Sequence, residues 1–354
     1  MDKNNKKSTR LRLINLDKDG KGVSKNQANL SPGFKKFFIL FGNNFGKLVS
    51  VNIFFVLGNF PLIFLITNLS GYFKKQYLTP FSDLFQNIAG IFAAEGTYTP
   101  YKMTLFALEG LQQQSLAHTT INYIFYGIAA LTLLTFGLVN VGTAYIVRNM
   151  VKGEPVFVWT DFWYSVKRNW RQALPFGALD AGILTILIWN LVSLITSTSQ
   201  FFLSMLFWSN VVLFIVYFLM RYYIYVQMVT FKLSIYKMIK NSLIFSLLGL
   251  KRNIVAFLAI ILLILFEFIL MFGTGGILVP FAVAAPLAIM LSGMSFIKVY
   301  AAYPKIKQYM IDPYHDEHPE ESGNNFQDDD IIMRDDVTEK ERLEEIKKKI
   351  QQNN

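Results

Sequence analysis

The chain has 354 residues, of which 53% are hydrophobic and only 16% are charged, whereas a soluble domain carries about a quarter charged residues. The absence of cysteine excludes disulfides, thiolate nucleophiles and zinc–cysteine sites. The net charge of +10 raises the question of nucleic acid. No basic recognition module is visible, however, and excess Lys and Arg is typical of multi-span proteins, so no nucleic-acid partner is predicted.

Charged residues are segregated away from four long apolar runs. Residues 48–73 and 119–147 contain none, residues 172–220 contain only Asp180, and residues 253–297 contain only Glu267. A helix needs ~20 apolar residues to cross a lipid bilayer, so the last two runs are each long enough for two crossings. The predicted fold class is all-α, a polytopic membrane helix bundle with six transmembrane helices. The predicted spans are about 48–67, 121–147, 174–195, 201–220, 254–272 and 277–297.

The segments around the first span organise the N-terminal part of the chain. Residues 1–33 are polar and basic, and we expect a disordered cytoplasmic arm. Phe34–Phe41 is typical of a short interfacial helix that opens the membrane domain, residues 34–305. Pro61 removes a backbone donor, so it should kink the first span at a place where a neighbouring helix packs.

Residues 68–120 form a long extracellular loop with helical signals. Thr79 and Pro80 are typical of a helix start, and apolar residues recur at helical spacing after them. A second helix is expected over Tyr101–Gln113. Two interpretations stay open: an amphipathic lid that lies on the membrane surface, and a cap over a solute entrance.

The C-terminal half continues with short turns and ends in a polar tail. Residues 196–200 should form the turn between the third and fourth spans, and Pro280 and Pro286 should bend the sixth. Residues 306–354 form a predicted cytoplasmic tail, in which an acidic linker precedes a charged helix that opens at the Thr338 capping box.

The segments between the predicted spans are alternately rich and poor in Lys and Arg. The arm before the first span carries eleven, the outer loop three, the 148–172 segment five, the 221–253 segment six and the tail from residue 298 nine. The two short turns carry none. Because cytoplasmic loops are the basic ones, both termini and both basic loops are predicted to be cytoplasmic.

Asp180 and Glu267 are the only acidic residues within the predicted spans. An intramembrane acid is a functional hypothesis by default because its burial is costly, and two of them suggest a shared cation or proton site. Their depths argue against sharing, since Asp180 lies about 9 Å and Glu267 about 20 Å from the inner surface at the helical rise. Structural pairing and a role in a solute or proton path both stay open. The candidate ion-pair partners are Arg171 or Arg221 for Asp180, and Lys74, Lys75 or His118 for Glu267.

The amphipathic stretch Gly153–Gln172 separates the second and third spans and holds three of the five tryptophans. Its apolar positions recur at helical spacing, with basic residues on or near the opposite face. Because Trp and basic residues together favour the headgroup region, the stretch is predicted to be an interfacial anchor or a docking helix for a cytoplasmic partner. Its candidate residues are Trp159, Phe162, Trp163, Lys167, Arg168, Trp170 and Arg171, with Val166 and Leu174 extending the apolar face.

Motifs for known enzyme classes are missing from the sequence. The chain lacks a phosphate-binding loop, a zinc-protease helix and a serine elbow. The prediction is therefore a non-enzymatic protein with no catalytic, cofactor or metal site, and a membrane enzyme with an unfamiliar site is the alternative.

Four features together form a recognisable pattern: Asn52 with Pro61, Gly137–Glu154, Asp161–Ala173 and the Lys237–Asn253 loop. This pattern resembles the YesL-like family of bacterial integral membrane proteins. Members are commonly associated with carbohydrate ABC importers in Gram-positive bacteria. The resemblance therefore implies an accessory or regulatory role in sugar uptake, in the bacterial cytoplasmic membrane, with ABC transporter permease or ATPase subunits as partners. An independent small-solute transporter or channel is the alternative, and the long outer loop and the acidic tail depart from the family pattern.

Overall fold

The structure, a computed structural model, describes residues 33–80, 96, 99–101, 112–195 and 201–317. Almost all of the predicted arm, most of the outer loop, the 196–200 turn and the charged C-terminal helix lie outside these residues. The elements are α1 (Phe34–Asn43), α2 (Phe45–Gly58), α3 (Pro61–Leu69), β1 (Lys75–Pro80), β2 (Gln112–Ala117), α4 (Thr120–Ala130), α5 (Thr132–Lys152), α6 (Val158–Ile195), α7 (Phe201–Thr230), α8 (Ile235–Leu248), α9 (Leu250–Phe272), α10 (Val279–Ala285), α11 (Leu291–Ile306) and α12 (Asp312–Glu317), with π-helical turns at Pro286–Met290 and Lys307–Ile311.

Helices follow the apolar runs because a chain in lipid must satisfy its backbone polar groups internally. In the described part of the chain, five helical segments are long and apolar enough to cross a membrane: 120–152, 158–195, 201–230, 250–272 and 279–314. A sixth is added if α1 and α2, which meet with a bend of 74°, are counted as one span. The prediction of an all-α, polytopic membrane helix bundle is confirmed.

The predicted amphipathic stretch and the third span form one continuous helix. α6 runs from Val158 to Ile195 through Pro175, and its 38 residues extend about 57 Å at the helical rise. α5 ends just before it at Gly153, whose positive φ of 83° is left-handed and suits glycine at a helix end. The tryptophans of the stretch are therefore fixed to the same helix as Asp180.

The first span breaks where the sequence predicts a kink. α2 ends at Gly58 and α3 begins at Pro61, so the missing backbone donor of the proline falls in the first turn of a new helix. α5 packs at the break, since a Cβ added at Gly58 would overlap the side chain of Val139. The predicted kink and its packed neighbour are both found.

A single asparagine of α2 stabilises the π-helical turn Pro286–Met290 in the last span. The Asn52 amide nitrogen donates to the carbonyl oxygens of Pro286 and Leu287, each at 2.8 Å. Its carbonyl oxygen accepts from the backbone nitrogen of Ser292 at 2.9 Å. A π-helical turn leaves backbone groups without their usual partners, and Asn52 supplies three hydrogen bonds there. At Pro286, where the sequence predicts a bend, the last span forms a π-helical turn that is held by α2.

The base of the outer loop is an antiparallel ribbon. β1 pairs with β2, with Lys75 opposite Ala117 and Pro80 opposite Gln112. The predicted helix start at Thr79 and Pro80 is wrong, because both residues end β1, where a proline is tolerated at the end of an edge strand. Residues 102–111 of the predicted Tyr101–Gln113 helix lie outside the described residues, and its last two residues belong to β2.

Buried side chains concentrate in one part of the bundle. The core is built from the C-terminal halves of α5 and α7, the N-terminal half of α6, and α11. By contrast, α6 has no buried residue beyond Asp180, and α9 has none beyond Ile260. The opposite ends of these helices therefore present apolar side chains to the bilayer.

Candidate functional site

Asp180 lies at the centre of a buried polar cluster between α6 and α7. Its side chain is 0% exposed. Oδ1 accepts from the hydroxyl of Tyr217 at 2.8 Å, and Oδ2 accepts from the hydroxyl of Tyr225 at 2.5 Å. The Arg221 guanidinium lies 2.8 Å from Oδ1 and donates to Oδ2 from Nη2 at 2.9 Å. We call these four residues the Asp180 cluster.

The three partners of Asp180 share one face of α7, because residues 217, 221 and 225 recur every fourth position. Arg221 also lies over the rings of Phe136 and Tyr225, at 5.5 and 5.9 Å from their centres. Of the two predicted partners of Asp180, Arg221 is therefore the correct one. Structural pairing of Asp180 is therefore observed. It is expected on physical grounds, because a buried carboxylate is stable only when it is paired and fully hydrogen-bonded.

Glu267 is not part of this cluster. It lies on α9, on the same face as the buried residues Ala256 and Ile260. Within the described residues, its carboxylate forms no ion pair and its Oε1 has no hydrogen-bond partner. The predicted pairing with Lys74, Lys75 or His118 is not found. The absence of a shared acid site with Asp180 agrees with the depths inferred from the sequence.

A small polar cavity adjoins the Asp180 cluster. It has a volume of about 40 Å³ and lies between α5, α7 and α11. We call it the polar cavity. Its polar lining comprises Asn140 and Thr143 of α5, Arg221, Tyr222 and Tyr225 of α7, and Ser295 and Lys298 of α11. Arg221 and Tyr225 belong to both features and connect the cavity to Asp180.

The structure divides the seven candidate residues of the amphipathic stretch into two groups. Phe162 is 5% exposed, stacks on Phe54 at 4.7 Å and packs against Gly142. Arg168 is half-buried and donates to the carbonyl oxygen of Val229 at 2.9 Å. These two side chains hold α6 to the rest of the bundle and are not free to meet a partner.

The other five candidate residues form one exposed surface. Trp159 is 65% exposed, Trp163 42% and Trp170 48%, and Lys167 and Arg171 are exposed beside them. At 100° per residue these five positions fall within an arc of about 120°. We call this surface the α6 face. The predicted separation of tryptophans from basic residues is wrong, because the buried side belongs to Phe162, Val166 and Ala173.

The C-terminal end of α7 is closed by basic and polar side chains from α5 and α6. The Val229 carbonyl oxygen accepts from Nη1 of Arg148 and from Nη2 of Arg168, both at 2.9 Å. Gln172 donates to the carbonyl oxygen of Leu233 at 3.0 Å. The last carbonyls of a helix lack partners within it and attract cations, so these contacts join the three helices.

No family model, curated protein or solved structure matches this chain. The resemblance to the YesL-like family therefore stays a prediction. In the described part of the chain, no three His, Asp or Glu side chains come close enough together to hold a metal ion.

Sequence reasoning missed several residues of these features. The sequence points to Arg221 as a partner of Asp180, but it does not point to Tyr217 and Tyr225, and it places Lys298 just beyond the predicted sixth span as a loop charge. The four-residue spacing of Tyr217, Arg221 and Tyr225 was the available signal, because it marks one helical face that crosses the assumed boundary. Nothing local in the sequence singled out Thr143.

Proposed function

We propose that this protein is a non-enzymatic membrane protein that acts as an accessory or regulatory partner of a carbohydrate uptake system of the ABC type. The observation that carries the proposal is the α6 face: three exposed tryptophans and two exposed cations on one rigid helix. The family resemblance supplies the partner class, a permease or ATPase subunit. The polar cavity, at about 40 Å³, is itself too small for a sugar, since small-molecule sites typically occupy ~300–1,000 Å³.

The α6 face has the composition of a protein-binding surface. Trp and Arg are enriched at the energetically important positions of interfaces, and Trp buries a large area at a low cost in conformational entropy. The ring centres of Trp159 and Trp163 lie 6.2 Å apart, and those of Trp159 and Phe54 lie 5.2 Å apart. These ring contacts order the side chains before any partner binds. Arg171 lies over the Trp170 ring at 5.6 Å. An ordered surface loses less entropy on binding.

The test replaces Trp163 and Trp170 together with alanine. The control replaces Trp189 and Trp208, the two tryptophans of the outer ends of α6 and α7, which are 67% and 63% exposed. After crosslinking in membranes, the wild type and the control should co-purify with a permease or ATPase subunit, and the α6-face variant should not. Membrane insertion is measured in parallel by resistance to carbonate extraction.

Two outcomes would contradict this proposal. A wild-type complex that never contains such a subunit excludes the accessory role. A double variant that no longer inserts into the membrane shows that the α6 face is a plain interfacial anchor. Normal insertion with loss of the subunit is the result that docking requires.

The second candidate function is an independent small-solute transporter or channel. The polar cavity favours it, because charged side chains inside a bundle often mark a solute path. Solute uptake by proteoliposomes that contain only this protein would support transport. Uptake equal to that of empty liposomes would remove this candidate.

We also propose that both termini lie in the cytoplasm, with the outer loop on the opposite side of a bacterial cytoplasmic membrane. The chain has no cysteine, so a single introduced thiol can be labelled without background. Gln113→Cys in β2 should react with an impermeant reagent added outside intact cells, and Lys167→Cys on the α6 face should not. Labelling of Gln113→Cys only after lysis would reverse this orientation.

A further inference from the structure

The charges around the polar cavity do not balance. Arg221 and Lys298 line it, and Asp180 is the acid nearest to Arg221. Both oxygens of Asp180 already accept from Arg221, Tyr217 and Tyr225. A protonated amine at Lys298 would therefore lack a counter-ion of its own.

Lys298 has one described contact, with the ring of Phe218, whose centre lies 5.1 Å from Nζ. Among the residues that the structure describes, no carboxylate and no hydrogen-bond acceptor pairs with this amine. Lys298 is half-buried, and an aromatic ring compensates only a small part of the cost of removing a charge from water. The remaining positive charge points to an anion.

Two hydroxyl groups of the cavity lining also lack partners. Thr143 and Tyr222 are each 1% exposed, and neither Oγ1 of Thr143 nor the hydroxyl of Tyr222 has a hydrogen-bond partner in the described part of the chain. Thr132 and Thr135 of α5 also have a hydroxyl without a partner, but of these three threonines Thr143 is the one that lines the polar cavity. Hydroxyls are donors to anions, and buried donors without acceptors are costly.

The cavity volume selects the size of the anion. About 40 Å³ exceeds the ~10–15 Å³ that one water molecule requires, and it is too small for a sugar or a nucleotide. Water alone would satisfy the hydroxyls and leave the charge of Lys298 uncompensated. A monatomic anion satisfies the hydroxyls and the charge together.

We propose that the polar cavity binds a monovalent inorganic anion of the size of chloride, held by Lys298 with the hydroxyls of Thr143 and Tyr222. The anion joins three helices, because Thr143 lies on α5, Tyr222 on α7 and Lys298 on α11. This site goes beyond the proposed partner role and does not depend on it.

The experiment measures the thermal unfolding midpoint of the full-length protein in detergent as chloride replaces gluconate at constant ionic strength. A ligand that binds only the folded state raises the midpoint with its concentration. Lys298→Met should weaken the apparent chloride affinity by about tenfold or more, and Thr143→Val by about threefold to tenfold. Lys305→Met is the matched control, since Lys305 lies on the same helix and over a ring, that of Tyr309, outside the cavity; it should keep the wild-type response.

The line width of the ³⁵Cl NMR signal gives a second measurement that needs no variant to fold. Wild-type protein should broaden the line, and bromide should compete for the site. An unchanged line width, or a wild-type midpoint that ignores chloride, would overturn the proposal and point to a neutral lysine. The same chloride response in Lys298→Met as in Lys305→Met would also overturn it.

Discussion

Replacing Asp180 by asparagine tests whether the Asp180 cluster holds α6 and α7 together. The substitution keeps the shape of the side chain and removes its charge. Asp180 is fully buried, and the side chain of Arg221 is only 10% exposed, so the guanidinium would keep a buried charge without a counter-ion. The hydroxyls of Tyr217 and Tyr225 would donate to a neutral acceptor in place of a charged one.

The expected magnitude follows from these contacts. Each tyrosine hydrogen bond should weaken by ~1 kcal/mol, because bonds to charged groups are worth more than neutral ones. Breaking a buried ion pair from one side costs ~3–5 kcal/mol in all. We therefore expect Asp180→Asn to lower the free energy of unfolding by about 3–5 kcal/mol.

Glu267→Gln is the matched control, because it neutralises the other intramembrane acid, whose Oε1 has no described partner. We expect its free energy of unfolding to stay within ~0.5 kcal/mol of wild type or to rise. The assay is reversible unfolding in mixed micelles by increasing SDS, monitored by tryptophan fluorescence. Adding Arg221→Met to Asp180→Asn should restore ~2 kcal/mol, because it removes the stranded charge. The reasoning is refuted if Asp180→Asn is as stable as Glu267→Gln, or if the double variant is less stable than the single.

Two further predictions concern helix packing, measured by the same unfolding assay. A Cβ added at Gly177 would lie 2.5 Å from the backbone nitrogen of Gly137, so Gly177→Ala should lower the free energy of unfolding by about 1–3 kcal/mol. The control is Gly182→Ala, because a Cβ at Gly182 would have nothing within 4 Å. It should raise the free energy of unfolding by up to ~1 kcal/mol. Equal stability of the two variants would show that α5 and α6 cross less closely. Asn52→Ala removes three hydrogen bonds to the last span and should lower the free energy of unfolding by about 2–3 kcal/mol. Asn44→Ala removes one local hydrogen bond, to the carbonyl oxygen of Leu40, and should lower it by less than ~1 kcal/mol. The reverse order of the two variants would contradict the role of Asn52.

Much of the fold was predictable because lipid imposes a simple rule on sequence. Long runs without charge can only be helices that cross the membrane, and Pro61 marks a break for a reason local to its own backbone. The partner of Asp180 was narrowed to two arginines, since basic residues near the inner ends of the spans are few. These predictions succeeded because each depends on the position of a charge or of a proline along the chain.

The features that could not be predicted depend on which neighbour a side chain meets. Phe162 and Trp163 are adjacent, so periodicity alone allows either one to face the core, and Gly142 of α5 decides in favour of Phe162. Thr79 and Pro80 begin helices in many proteins, but pairing with β2 overrides that local preference. The polar cavity joins residues far apart in the sequence, from α5, α7 and α11, and no pattern within one helix reveals it.

The uneven distribution of buried side chains has a consequence for how the protein responds to its membrane. The tightly packed region is stabilised by contacts within the chain, whereas the far ends of α6 and α9 contain no buried side chain and face acyl chains over most of their surface. Changes in bilayer thickness act on helices at a fraction of a kcal/mol per Å of mismatch. Such changes should therefore shift the far ends of these helices first, while the region around Asp180 keeps its geometry.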